Sequence, residues 1–191
     1  LLTYDIKLGE HKLDFLAGWI QEKNDYYNQW SRGVGYSAGS IAQIEYADSR
    51  DGGEYNNTYT AISYISRLNY NYKEKYLLTG IIRRDGSSLF GPNKKYGNFP
   101  SISLGWVVSK EDFWNSKVIN NLKFRAGYGV NGNDGTLAPN MYESLVSGGY
   151  NYYVGNAIIV GSAPDTLENP DLHWEETIQT NVGVETRLFN D

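Results

Sequence analysis

Apolar and polar residues alternate one by one along several stretches of this chain, each about nine to eleven residues long, the length of a tilted membrane-spanning strand. From Phe99 to Ser109 one parity carries Pro100, Ile102, Leu104, Trp106 and Val108. The other carries Phe99, Ser101, Ser103, Gly105, Val107 and Ser109. Successive side chains of a strand point to opposite faces, so one face is oily and the other small and mostly polar. Leu122, Phe124, Ala126, Tyr128 and Val130 likewise oppose Lys123, Arg125, Gly127, Gly129 and Asn131. Between Thr60 and Tyr72, Ile62, Tyr64, Leu68, Tyr70 and Tyr72 oppose Ser63, Arg67, Asn69 and Asn71. Near the end, Ile178, Thr180, Val182, Val184, Thr186 and Leu188 alternate with Thr177, Gln179, Asn181, Gly183, Glu185 and Arg187. With Leu2–Leu8, Lys12–Gln21 and Tyr76–Asp85 the pattern predicts about seven strands, no sustained helical stripe and an all-β fold.

The connections alternate in length. Gly9-Glu10 and Lys73-Glu74-Lys75 have the size and polarity of hairpin turns, and Lys110–Asn121 is a medium connection on the same side. Residues 22–57, 85–96 and 131–171 are predicted as long loops rich in Gly, Asn, Asp, Ser and Tyr. Short turns on one side and long loops on the other are the habit of outer-membrane barrels. Tyr70, Tyr72, Tyr76 and Trp106 fall at the tight-turn ends of their strands, where an interfacial aromatic girdle belongs. A soluble sandwich whose core takes up these aromatics remains the alternative at this point. An open sheet leaves unpaired backbone in hydrocarbon, and single-chain bacterial barrels use even strand numbers. A membrane reading therefore makes this chain part of a larger object.

Composition removes several other classes. The 191 residues include no Cys, so disulfide frameworks and thiolate metal sites are absent. A net charge of −5 argues against a nucleic-acid binder, which presents a basic face. No secretory signal is seen at Leu1-Leu2-Thr3-Tyr4, and no apolar run approaches the roughly 18 residues of a membrane helix. The mean hydropathy of −0.52 suggests a soluble protein, but transmembrane barrels alternate and so hide from such averages.

Three blocks of wording then point to a family. Arg83-Arg84-Asp85-Gly86-Ser87-Ser88-Leu89-Phe90-Gly91 is followed by Tyr96-Gly97-Asn98-Phe99-Pro100-Ser101-Ile102-Ser103-Leu104-Gly105-Trp106. Leu122-Lys123-Phe124-Arg125-Ala126-Gly127-Tyr128-Gly129-Val130-Asn131-Gly132-Asn133 is the second. Asn169-Pro170-Asp171-Leu172-His173-Trp174-Glu175-Glu176-Thr177, continuing through Gln179, Asn181 and Gly183, is the third. In this order they resemble the SusC/RagA family of TonB-linked outer-membrane proteins, over Tyr59 to Asp191; the first third fits by strand pattern. The resemblance implies a barrel of about 22 strands with a plugged lumen, of which residues 1–191 are a later portion lacking the plug domain and the TonB-contact segment. It implies import of oligosaccharides or peptides across a Gram-negative, Bacteroidota-type outer membrane. The implied partners are outer-membrane lipid, a SusD-like surface lipoprotein and the TonB complex, with no cofactor and no nucleic acid. Leu188-Phe189-Asn190-Asp191 reads as entry into another short turn.

On this reading Ile62, Tyr64, Leu68, Ile102, Leu104, Trp106, Leu122, Phe124, Val182 and Val184 face lipid. Arg83, Asp85, Lys123, Arg125, Glu185 and Arg187 face the lumen, and Arg84 sits at the outer rim near lipid headgroups. Arg83 and Asp85 serve either lumen electrostatics or a rim salt bridge. The loop aromatics Tyr26, Tyr27, Trp30, Tyr36, Tyr150, Tyr152 and Tyr153 are the candidate substrate contacts, because flat rings stack on sugar C–H faces.

No enzyme reading holds together. Gly35-Tyr36-Ser37-Ala38-Gly39 matches the nucleophile-elbow pattern but lacks the helix that must follow it. Glu175-Glu176 and Glu111-Asp112 are neighbours, and neighbours on a strand cannot flank one glycosidic bond. Asn131-Gly132-Asn133-Asp134-Gly135 is out of register for a calcium loop, and His11 and His173 have no metal-ligand spacing. The alternatives to an importer are a soluble β-rich carbohydrate-binding module and a siderophore or cobalamin receptor barrel.

Overall fold

The computed structural model describes residues 1–37, 39, 43–135 and 137–189. Its main body is one seven-stranded antiparallel sheet in the order β1 (Leu2–Leu8), β2 (His11–Val34), β3 (Ser49–Tyr72), β4 (Tyr76–Ser87), β5 (Tyr96–Val107), β6 (Ile119–Asn133) and β11 (Glu175–Leu188). Each strand pairs with its predecessor, so the sheet is an up-and-down meander. Among the described residues β1 and β11 each have one edge with no further strand. Between β6 and β11 lie two small two-stranded sheets, β7 (Val146–Gly148) with β10 (Ser162–Pro164) and β8 (Tyr152–Val154) with β9 (Ala157–Ile159). No helix is long and apolar enough to cross a membrane, which says nothing of strands.

Register converts the sequence alternation into two faces. Trp19 pairs with Tyr64, Phe15 with Leu68, Tyr70 with Leu78, Leu78 with Leu104, Leu104 with Ala126, and Phe124 with Val184. Cross-strand partners share a face, so the apolar residues of all seven strands form one continuous side. Most of them are exposed, Ile102, Leu104, Phe124, Val182 and Val184 included. The opposite side carries Arg67, Arg83, Asp85, Ser101, Ser103, Lys123, Arg125, Gln179, Asn181 and Glu185 by the same registers.

The structure corrects three expectations. Residues 22–57 are not a long loop: β2 and β3 pair without interruption from His11–Tyr72 to Val34–Ser49. Each strand has 24 residues, against the about nine to eleven that cross a bilayer. Roughly 40 Å of this ribbon therefore continues beyond the apolar belt, at about 3.4 Å per residue. Apolar alternation is no guide there, because neither parity of the ribbon is consistently apolar. β5 also stops at Val107 instead of Ser109, where buried Val108 opens a short 3-10 turn, Val108–Lys110. In 131–171 the four short strands β7 to β10 replace an unstructured loop.

The tight-turn end is knitted by charge. Lys73 and Glu74 both adopt positive φ, at the centre of a tight turn in which the Lys75 N–H donates to Tyr72 O at 2.9 Å, and the Asn71 side chain accepts the Glu74 N–H at 2.8 Å. Lys75 lies 3.0 Å from Glu111 and 3.4 Å from Asp112, and Lys110 lies 2.6 Å from Glu74. The Trp106 indole donates to Glu111 at 2.9 Å. That bond, with those from Tyr76 and Lys75, holds the Glu111 carboxyl down at about 2, so it stays ionised and ties the β3–β4 turn to the β5–β6 connection.

Candidate functional site

The polar face is built in levels from the tight-turn end upward. Glu185 on β11 lies 3.1 Å from Arg125 and 3.5 Å from Lys123 on β6, and the Arg125 side chain runs over Gly183. Arg187, next along β11, stands on the same face beside Asn121 and is in no ion pair among the described residues. Above them Ser101, Ser103, Gly127 and Gly129 lower the wall into a groove of about 540 Å³, edged by Thr79, Arg125, Gln179 and Asn181. Small residues leave room there for another surface or a ligand.

Higher still, Arg83 donates through Nε to Asp85 at 2.8 Å and through Nη2 to Ser63 at 3.3 Å. Asp85 is 7% exposed, so its pairing is required. The two side chains thus form an ion pair on the polar face. Tyr59 donates to Asp134 at 3.1 Å, and partial burial, then the Asp134 carboxylate, pushes its phenol up.

At the long-connection end the quoted sequence blocks fold onto one another. Phe90, Phe99 and Trp174 form the buried core, at 0%, 5% and 9% exposure, with ring centroids 4.7 Å (Phe90–Trp174) and 5.3 Å (Phe99–Trp174) apart. Val130, Leu137 and Leu172 pack around it. Backbone bonds lace the two segments: Gly91 N–H to Leu172 O at 3.1 Å and Asn93 N–H to Pro170 O at 3.3 Å. The Trp174 indole donates to Lys95 O at 3.2 Å. Gly91 and Gly132 are glycines because of close approach. An added Cβ would stand 2.1 Å from Pro170 O at the first and 2.1 Å from the Phe99 ring at the second.

The candidate substrate aromatics divide. Tyr26, Tyr27 and Trp30 are not on a loop but on the β2–β3 ribbon, and they do not share a face. Tyr26 and Trp30 lie on the polar side, with Trp30 over Gly53 and Tyr26 edge-on to Tyr55 at 6.2 Å. Asn28 donates to the Tyr26 hydroxyl at 3.4 Å, and Asn57 donates to Tyr55. Tyr27 faces the other way and donates to Glu54 at 3.2 Å. Tyr36 follows the ribbon tip in irregular chain. Tyr150 donates to Asp165 at 3.2 Å, while Tyr152 and Tyr153 belong to strand β8 of a separate exposed hairpin. No ring contact joins the two groups among the described residues.

Sequence reasoning missed Tyr55, Tyr59 and Asp134, which register and loop folding bring beside the chosen residues. It also missed Leu16, Ile65, Leu77 and Ile81, apolar residues that interrupt the polar face. Their alternation is out of phase with the oily parity, which was the available signal.

The elements once weighed for enzymes do not assemble. Ala38 and residues 40–42 lie outside the described residues. The next described residues, Ile44–Tyr46, make one 3-10 turn. Glu175 and Glu176 sit on opposite faces, Glu175 accepting from Asn133 at 3.1 Å. His173 bonds the Asp171 carbonyl at 2.9 Å. Asn133 caps the Gly135 N–H at 3.1 Å. Asn190 and Asp191, read as the start of a turn, also lie outside the described residues.

Comparison with known proteins matches this architecture. The family model described as TonB dependent receptor-like, beta-barrel covers residues 2–191. TonB-dependent receptor P39 of Formosa agariphila is 46% identical over 69% of this chain and 12% of its own length. TonB-dependent receptor SusC of Bacteroides thetaiotaomicron is 31% identical over 99% of this chain and 19% of its own length. The chain thus spans less than a fifth of these relatives. The solved RagAB peptide transporter superposes with a TM-score of 0.81 at 24% identity, covering 98% of this chain and 21% of that one. The chain belongs to the TonB-dependent receptor family, as part of a β-barrel of the SusC/RagA type.

Proposed function

We propose that this chain forms part of the wall of an outer-membrane importer that draws its energy through TonB, takes up oligosaccharides or peptides, and works with a SusD-like surface lipoprotein. The observation that carries the reading is the one-sided apolar belt running unbroken across seven antiparallel strands of a family barrel. Such a sheet is stable in lipid only when closed, so β1 and β11 pair with further strands of the parent protein. The apolar side meets lipid, and the side with Arg83, Asp85, Lys123, Arg125, Glu185 and Arg187 lines the lumen. The wall performs no bond chemistry: its ion pairs hold shape, and its groove and apolar interruptions offer a packing surface to the plug. Tyr26, Trp30 and Tyr55, on the lumen side of the ribbon, are the substrate contacts best placed to stack on a passing ligand. Tyr27 points away and fits a neighbouring surface better. Tyr36, Tyr150, Tyr152 and Tyr153 stay as rim contacts.

The test is uptake by cells carrying the full-length parent protein, offered labelled oligosaccharide and peptide pools. Uptake is expected to need TonB, and Tyr26→Ala/Trp30→Ala is expected to weaken capture by about tenfold, the scale of losing aromatic stacking. Uptake that persists without TonB overturns the reading.

A further inference from the structure

Toward the long-connection end of the polar face lies a cavity of about 240 Å³, with Glu22, Tyr59, Arg83, Asp85, Asp134 and Trp174 in its lining. Register sets Glu22 beside Ala61, Asp85 beside Ser63 and Arg83 beside Phe99, all on the polar parity. Asp134 follows the end of β6 and reaches back to Tyr59 of β3, and Trp174 precedes β11. The two connecting segments thus wall in a space above the strands. On the same face, Tyr26, Tyr55 and Trp30 lead outward from it along the ribbon. A molecule that passes those rings on its way inward arrives at this cavity.

The lining holds three carboxylates against one cation, Arg83, whose guanidinium is already taken by Asp85 and Ser63. Glu22 accepts from the Asn24 amide and Asp134 from the Tyr59 hydroxyl, and among the described residues neither carboxylate has a cation partner. Arg67, one level lower between Leu16 and Ile81, does not line the cavity. Burial first, then Asp134 and also Glu22, pushes the Tyr59 phenol up, so its hydroxyl stays a donor and both carboxylates act on one space. Two like charges around a small space favour a cation between them, and neutral hydroxyls leave that repulsion in place. The rest of the wall is aromatic, with the Phe99 and Trp174 ring centroids 5.3 Å apart. Rings beside carboxylates match a side chain that has an apolar stem and a cationic end.

We propose that this cavity is a charge-selecting subsite for a peptide cargo, taking the ammonium or guanidinium of a lysine or arginine side chain. Glu22 and Asp134 meet the charge, and the stem of the side chain lies against the Phe99 and Trp174 rings. The same two carboxylates turn back acidic cargo. The inference rests on the polar side being the lumen of an importer.

The full-length parent protein, purified in detergent, is incubated with libraries of short, end-blocked peptides that are neutral except for one lysine, one acetyl-lysine or one glutamate. Retained peptide is read by mass spectrometry. Lysine is expected to be preferred over acetyl-lysine by about tenfold, the scale of a close charge pair, with glutamate retained least. Glu22→Gln/Asp134→Asn is expected to abolish the lysine preference and to raise glutamate retention, a gain that a damaged barrel does not produce. No lysine preference in the natural protein, or an unchanged order in the double variant, overturns the proposal. So does a glucosamine oligomer whose retention needs the two carboxylates while that of lysine peptides does not. A neutral oligosaccharide pool is offered in parallel. If it is retained and no peptide is, only this subsite fails. If nothing from any pool is retained, the importer reading fails with it.

Discussion

Phe90→Ala is expected to cost about 3–5 kcal/mol of local stability at the outer rim, the loss typical of truncating a fully buried aromatic. Phe90 is the most deeply buried large side chain of the described residues, and its ring sits 4.7 Å from that of Trp174. Removing it leaves a void between the segment after β4 and the segment before β11. Their backbones are joined through Gly91 to Leu172 and Asn93 to Pro170. Amide exchange of the full-length protein checks this: the Gly91 and Asn93 N–H groups lose most of their protection in the variant, while the β3–β4 ladder keeps its own. Unchanged protection at both amides contradicts a core role for Phe90.

The second large effect depends on parity. Ile102 lies midway between Tyr96 and Trp106 on β5, on the apolar side, beside Gly80 and Tyr128. Ile102→Lys is expected to destabilise the inserted barrel by about 2–4 kcal/mol, the cost of a cation near the bilayer midplane, and Ser101→Lys by close to nothing. Urea titration of the full-length protein in phosphatidylcholine bilayers measures both. Equal losses at the two positions contradict a lipid belt.

The apolar side was legible in the chain because a sheet with one apolar face imposes a period of two on every strand. Phe99–Val107 and Thr177–Leu188 show it along the strand, and their registers place each parity as alternation requires. The ribbon of β2 and β3 above the belt was not legible. Its residues, such as Asn24, Asn28, Asn56 and Asn57, have low strand preference and no oily parity. Only pairing with the opposite strand explains their extended form. The split of Tyr26 from Tyr27 follows once that stretch is a strand. The rim core lay beyond pattern reading for another reason. Phe90 and Trp174 stand 84 residues apart and meet through loop packing, which no local period records.

The central claim is that one face of this sheet touches lipid and the other water. Single Cys substitutions at Ser101, Ile102, Ser103 and Leu104 of the full-length protein, in its native membrane, test it most directly. Each is probed with a lipid-soluble quencher on an attached fluorophore and with a water-soluble thiol reagent. The quencher is expected to reach positions 102 and 104, and the water-soluble reagent positions 101 and 103. The same response at all four positions contradicts the barrel wall and leaves a soluble β-sheet as the account to pursue.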